Sequence, residues 1–171
     1  GGCSNGGYMT MHMLDLHPTY FAAAYPICTP YYSDEALATK LKNMPIWFTH
    51  AMNDTTVAIA NFITEGKNQT FDSYKKENTN ALYIDLLAAG NKNVHYSLFE
   101  NVAYDGTTYS MGHYSWIYTL TDSCVNVQAT AGAEGAAFGV GDLNAKATNK
   151  VQVGGKDTTL WGWLAAQKKA S

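Results

Sequence analysis

Charge is scarce in this chain. Only 15% of its 171 residues are Asp, Glu, Lys or Arg, against ~25% in an average soluble domain. The formal net charge is -3, and the 11 basic residues are scattered along the sequence. No basic stripe exists to track phosphates, so nucleic acid is not an expected partner. No uninterrupted apolar run approaches the ~18 residues of a membrane span, and no membrane partner is expected either. Cysteine is sparse and odd in number: Cys3, Cys28 and Cys124, without CxxC spacing. That pattern argues against a zinc site and a disulfide scaffold, and no metal or other cofactor is expected. A Cys28–Cys124 bridge is not expected, because Cys28 closes a strand while Cys124 follows a helix running away from that end. The first residues, Gly1-Gly2-Cys3-Ser4, are neither a start methionine nor a signal peptide. We read the chain as starting within a longer protein.

What is present is a globular domain. Hydrophobic residues make up 46%, which excludes disorder, and 171 residues suffice for one domain with a core. The 12 Tyr and 4 Trp exceed what a small core needs and suit a cleft lined for organic substrates. Residues 6–17 read as a buried helix stopped by Pro18, and residues 20–28 as a short buried strand. Ser33 or Asp34 caps a helix through about Asn43, and Ile46–His50 is a strand. Residues 55–78 are polar and ambiguous. Asn80–Gly90 is the best amphipathic helix, ended by Gly90. Val94–Phe99 alternates like a strand, and Tyr114–Thr121 reads as a short helix. Residues 125–156 look like an irregular insertion or lid. The last helix, Thr158–Lys169, places Leu160, Trp161, Leu164 and Ala165 on one face. Helices alternating with strands indicate an α/β protein with a mostly parallel sheet and flanking helices.

Gly2-Cys3-Ser4-Asn5-Gly6 is a G-x-S-x-G. In a nucleophile elbow this pattern sets a serine on a sharp strand-to-helix turn, and the two glycines let the turn approach neighbouring backbone without a Cβ clash. The bland reading is a Gly-rich turn. The motif opens directly into an apolar helix, as an elbow must. An elbow predicts an acid and then a histidine, in that chain order, in loops after later parallel strands. Asp54 follows the 46–50 strand and His113 follows the 94–99 strand. Ser4, Asp54 and His113 are therefore the candidate nucleophile, acid and base.

Competing residues fit less well. His12 and His17 lie along the first helix, and His50 and His95 sit within strands, where a packed, hydrogen-bonded imidazole is the usual explanation. Asp105 shares the His113 loop but follows the wrong strand for the required order. Cys3 occupies the x position of the elbow, so its thiol should point under the turn as an inert group. Tyr31, Tyr32 and Trp116 are expected at the cleft mouth, where loops gather above the sheet, although Trp116 could equally pack behind His113.

GGCSNGGYMT, PIWFTHAMND, AAGNKNVHYSLFENV, GHYSWIY and LWGWLAAQ together resemble the carboxyl-terminal half of an α/β-hydrolase. The resemblance is to bacterial esterases and predicted peptidases related to polyhydroxybutyrate depolymerases, feruloyl and acetyl esterases and prolyl oligopeptidases. It implies an α/β-hydrolase fold lacking its N-terminal strands, with residues 1–171 a single partial domain. It also implies Ser4 as nucleophile, Asp54 as acid, His113 as base and the Asn5 backbone N–H as one oxyanion donor. The implied activity is hydrolysis of a small-molecule or polymer-linked carboxylic ester through an acyl-enzyme. A serine peptidase and a truncated, non-catalytic module remain alternatives. The partner implied is the missing N-terminal half of the same fold, whose loops supply the second oxyanion donor, so the isolated chain is expected to be a poor catalyst. An extracellular location is implied by the resemblance alone.

Overall fold

The computed structural model describes residues 1–59, 78–99, 101–104, 107–109, 112–127 and 149–169. Asp105, residues 60–77 of the polar stretch and residues 128–148 of the expected insertion lie outside the described residues.

Four parallel strands form the central sheet in the order β1 (Gly2–Cys3), β2 (Pro26–Ile27), β3 (Ile46–Ala51) and β4 (Val94–Phe99). β3 and β4 pair along their full length, from Ile46 opposite Val94 to Ala51 opposite Phe99. Every residue of β3 is buried, as a strand covered on both faces requires. Parallel neighbours need crossovers, supplied by α1 (Asn5–Leu16), α2 (Glu35–Lys40) and α3 (Thr79–Ala88). The side chain of Asp34 caps α2 by accepting from the Leu37 N–H, and Asn78 caps α3 by accepting from the Ala81 N–H.

Alternation along β3 divides the core. Ile46 and Phe48 join Met11 and Leu14 of α1, Leu37 of α2 and Leu82 of α3. Trp47 points to the other face, into a cluster with Cys124, Val151, Leu160 and Trp163. There its ring meets that of Trp163 edge-on at 5.5 Å, and its N–H donates to Ser97 Oγ. The same alternation turns Thr49 toward Cys124 and Thr119, and His50 toward Thr79 at the start of α3.

Several elements differ from expectation. The strand expected at 20–28 shrinks to Pro26–Ile27 plus a lone bridge from Ala24 to Ile46. Pro26 has no N–H to give a ladder, and three alanines before Tyr25 have little β preference. α3 is not amphipathic: seven of its ten residues are buried, because it packs against α2 as well as β3 and β4. After β4 come a hairpin, β5 (Val102–Tyr104) with β6 (Thr107–Tyr109), a 3-10 turn at Gly112–Ser115 and α4 (Trp116–Leu120). At its edges the expected insertion contains two antiparallel pairings. β7 (Asn126–Val127) pairs with β8 (Asn149–Lys150), and β9 (Gln152–Val153) with β10 (Lys156–Asp157). The final helix, α5 (Leu160–Ala166), is anchored by Leu160 and Trp163, while Ala165 is exposed. Trp163 holds that place by donating its indole N–H to Asn93 Oδ1.

Candidate active site

The carboxyl ends of parallel strands all open on one edge of the sheet, where a ligand crevice forms. β1 delivers Ser4 there, β2 delivers Cys28, β3 delivers Asp54 and the connection after β4 delivers His113.

Ser4 turns between β1 and α1 with φ 53° and ψ -115°, a left-handed conformation that costs a non-glycine residue energy. Its N–H donates to the Ile27 carbonyl at 2.9 Å, and its own carbonyl accepts from the Tyr8 N–H, so both neighbours hold the strained turn. The glycines explain how the turn fits. A Cβ on Gly2 would lie 2.8 Å from the Gly6 carbonyl carbon, and one on Gly7 would lie 2.7 Å from the Ile27 oxygen. Gly6 would meet nothing within 4 Å. The close approach expected of both motif glycines thus falls on Gly2 and on Gly7, one residue beyond the motif.

Ser4 Oγ lies 2.9 Å from His113 Nε2, and His113 Nδ1 lies 2.9 Å from Asp54 Oδ2. An ionised carboxylate only accepts, so Nδ1 carries the ring hydrogen and Nε2 is free to accept from the Ser4 hydroxyl. Asp54 is 1% exposed. Burial pushes its carboxyl up, but hydrogen bonds from His50, His113 and the Val57 N–H outweigh that and hold it at about 2. Its second oxygen, Oδ1, accepts from the Thr56 and Val57 N–H groups at 2.8 Å each. Asn5 opens α1, in the first turn where backbone N–H groups have no intrahelical acceptor.

Gly112 locks the acid loop to the histidine loop. Its N–H donates to the Asn53 carbonyl at 3.1 Å, and a Cβ there would sit 2.6 Å from the Asp54 nitrogen and 2.7 Å from the Asn53 carbonyl carbon. Gly112→Ala must separate the two loops. Displacements near 1 Å cost ~10²-fold in rate, so we expect a loss of that order in the rate at which Ser4 reacts with a fluorophosphonate, with the thermal transition lowered by only a few degrees.

The three aromatic residues expected at the cleft part company. The Trp116 ring meets the His113 imidazole edge-on at 5.5 Å, beside the site. Tyr31 is a correction: it is 1% exposed, and its hydroxyl donates to Asp15 Oδ2. Tyr32 is 40% exposed, but its hydroxyl also donates to Asp15 Oδ2. Asp15 lies eleven residues along α1 from Ser4, roughly 16 Å at the helical rise. An aromatic pair after a strand end can serve the helix beside it as well as the cleft, and here Asp15 and Lys40 draw both phenols down.

Cys28, Asp54 and His113 each offer a ligand atom, all within 4.8 Å of one another. The donor chemistry does not suit a metal. Burial pushes the Cys28 thiol up to about 12, whereas a metal takes the thiolate, and both Asp54 oxygens already accept hydrogen bonds. The thiol is also misplaced for a nucleophile. It is wholly buried and donates to the His113 carbonyl rather than to the ring. All three cysteines are free.

Sequence reasoning passed over His50. Its Nε2 lies 3.0 Å from Asp54 Oδ2 and its Nδ1 lies 2.7 Å from Thr79 Oγ1. A signal was available: His50 stands four residues before Asp54, at the end of a strand whose next loop carries the acid.

No family model and no curated protein matches the chain. Among solved structures, the chain is similar to one described as a thermostable esterase, with 30% sequence identity and a TM-score of 0.52. The match covers 70% of this chain and 26% of that one, so the chain spans about a quarter of that structure's length. The parallel four-stranded sheet with flanking helices, joined to this likeness, defines an α/β-hydrolase-like fold.

Proposed function

We propose that this chain carries the chemical centre of a serine hydrolase that cleaves carboxylic esters, small or polymer-linked. One observation carries the reading: the unbroken hydrogen-bonded run from Ser4 Oγ through the His113 ring to Asp54. Ser4 Oγ attacks the ester carbonyl carbon while its proton passes to His113 Nε2. Asp54 stabilises the imidazolium that forms, and the Asn5 N–H donates to the developing oxyanion. Collapse of the tetrahedral species breaks the bond to the alcohol, which leaves with the proton from His113. The acyl group now rests on Ser4 Oγ. Water then attacks the acyl carbon, gives a proton to His113, and releases the acid as Ser4 regains its hydrogen. The likeness to a structure described as an esterase favours an ester over an amide as substrate.

The test is covalent. A fluorophosphonate should label the protein stoichiometrically, and peptide mapping should place the adduct on Ser4. The protein should also hydrolyse a p-nitrophenyl ester faster than the matching anilide. Labelling at Cys3 or elsewhere, with Ser4 untouched, overturns the assignment.

A further inference from the structure

The Ser4–His113–Asp54 run does not end at the carboxylate. Oδ2 of Asp54 accepts at 2.9 Å from His113 and at 3.0 Å from His50, so one oxygen serves two imidazoles. His50 is wholly buried and both its nitrogens are engaged. Nε2 also lies 3.0 Å from the Val57 carbonyl, and Nδ1 lies 2.7 Å from Thr79 Oγ1. Since Asp54 and the Val57 carbonyl can only accept, Nε2 carries hydrogen, and a neutral ring leaves Nδ1 to accept from the Thr79 hydroxyl. Thr79 is itself fixed by the Thr29 N–H, which donates to Oγ1 at 3.3 Å.

We infer that His50 is a positioning residue that sets the basicity of His113 through the oxygen they share. The inference rests on the reading of Ser4, His113 and Asp54 given above. A bolt that merely tied β3 to α3 could have used any acceptor in that loop. Sharing Oδ2 has a consequence that a bolt lacks. As His113 takes the Ser4 proton, its bond to Oδ2 must strengthen, and a second donor on that oxygen limits the gain. His50 therefore holds the imidazolium of His113 less stable than an unshared carboxylate would. The sign is the same whether His50 is neutral or charged, because a donor and a cation both draw on the same negative oxygen. Among the described residues, the other titratable groups on the elements around the end of β3 are Cys28, Tyr83 and Tyr96. Burial raises all three, to about 12 for the first two, so they stay protonated while an imidazole titrates. Asp85 of α3 turns away to Ser33, and His95 lies across the sheet against Trp47 and Trp163.

The experiment measures the rate of fluorophosphonate labelling at Ser4 against pH in the full chain, for the unmodified protein, His50→Met and His50→Gln. Methionine fills the space without a donor. Glutamine puts an N–H near the position of Nε2. We expect the acid limb of His50→Met to move up by about half a unit to one unit. His50→Gln should keep the limb of the unmodified protein. If His50→Met does not fold, imidazole NMR of the unmodified protein decides, since the His50 Nε2–H resonance must shift as His113 titrates. Limbs that coincide in a folded His50→Met, or a His50 resonance blind to the His113 titration, overturn the role of His50 and leave Ser4 as nucleophile standing. Absence of Ser4 labelling in the unmodified protein overturns both.

Discussion

With the N-terminal half of the fold supplied, replacing Ser4 by alanine should lower ester turnover by ~10⁴–10⁶-fold and leave the fold in place. The magnitude follows from what the hydroxyl does: without Oγ no acyl-enzyme forms, and what remains is the smaller effect of binding and oxyanion contact. The fold should survive because the cost of the turn lies in its backbone. Alanine at φ 53° is strained much as serine is, and the Ser4 backbone bonds to Ile27 and Tyr8 do not involve the side chain. A second measurement tests whether the residues act as a unit. Ser4→Ala combined with His113→Ala should be little worse than either alone, because each single change already stops proton transfer between them. Additive losses, measured as kcat on a p-nitrophenyl ester, would show that His113 acts on something other than Ser4.

The elements that bring these residues together differ in how openly the sequence announces them. β3 and β4 are legible because Ile46–His50 and Val94–Phe99 are dense in β-branched and aromatic residues. β2 misleads, because Tyr20–Cys28 is as apolar as a strand yet holds Pro26 and three consecutive alanines, which only tertiary pairing could test. The order of Ser4, Asp54 and His113 is readable from chain sequence and strand ends, since parallel strands deliver their carboxyl ends to one edge. Side-chain direction is not. Tyr31 and Tyr32 follow a strand end as cleft residues would, but Asp15, on a neighbouring helix, decides where their hydroxyls go. His50 is hidden for a related reason. A buried strand histidine is usually explained by packing, and its place four residues before Asp54 hints at the acid as partner without revealing that the two imidazoles share one oxygen. Gly7 and Gly112 belong to the same group, for their role is set by backbone from elsewhere in the chain.

Asp54→Asn should cost ~10⁴-fold in kcat/KM while changing the shape of the site very little. The direction comes from the four donors around the carboxylate. Two are backbone N–H groups, of Thr56 and Val57, aimed at Oδ1. Backbone donors cannot change into acceptors, so the asparagine carbonyl must take the Oδ1 position and its NH2 the Oδ2 position. That NH2 then faces His113 Nδ1, where it can only donate. The ring responds by moving its hydrogen to Nε2, which presents N–H to the Ser4 hydroxyl where a lone pair is needed. Nitrogen-15 NMR of the imidazole should report this change of tautomer directly. Stability carries a second signature. The Asp54 carboxyl is held at about 2 in the folded protein, below the ~3.9 of an unfolded chain. Its contribution is therefore complete above pH ~4 and is lost as the pH falls toward 2. Denaturant midpoints of the unmodified protein should decline through that window, and those of Asp54→Asn should decline less. If Asp54→Asn kept roughly a tenth or more of the activity, with the Nδ1–H tautomer intact, some group other than Asp54 would have to orient His113.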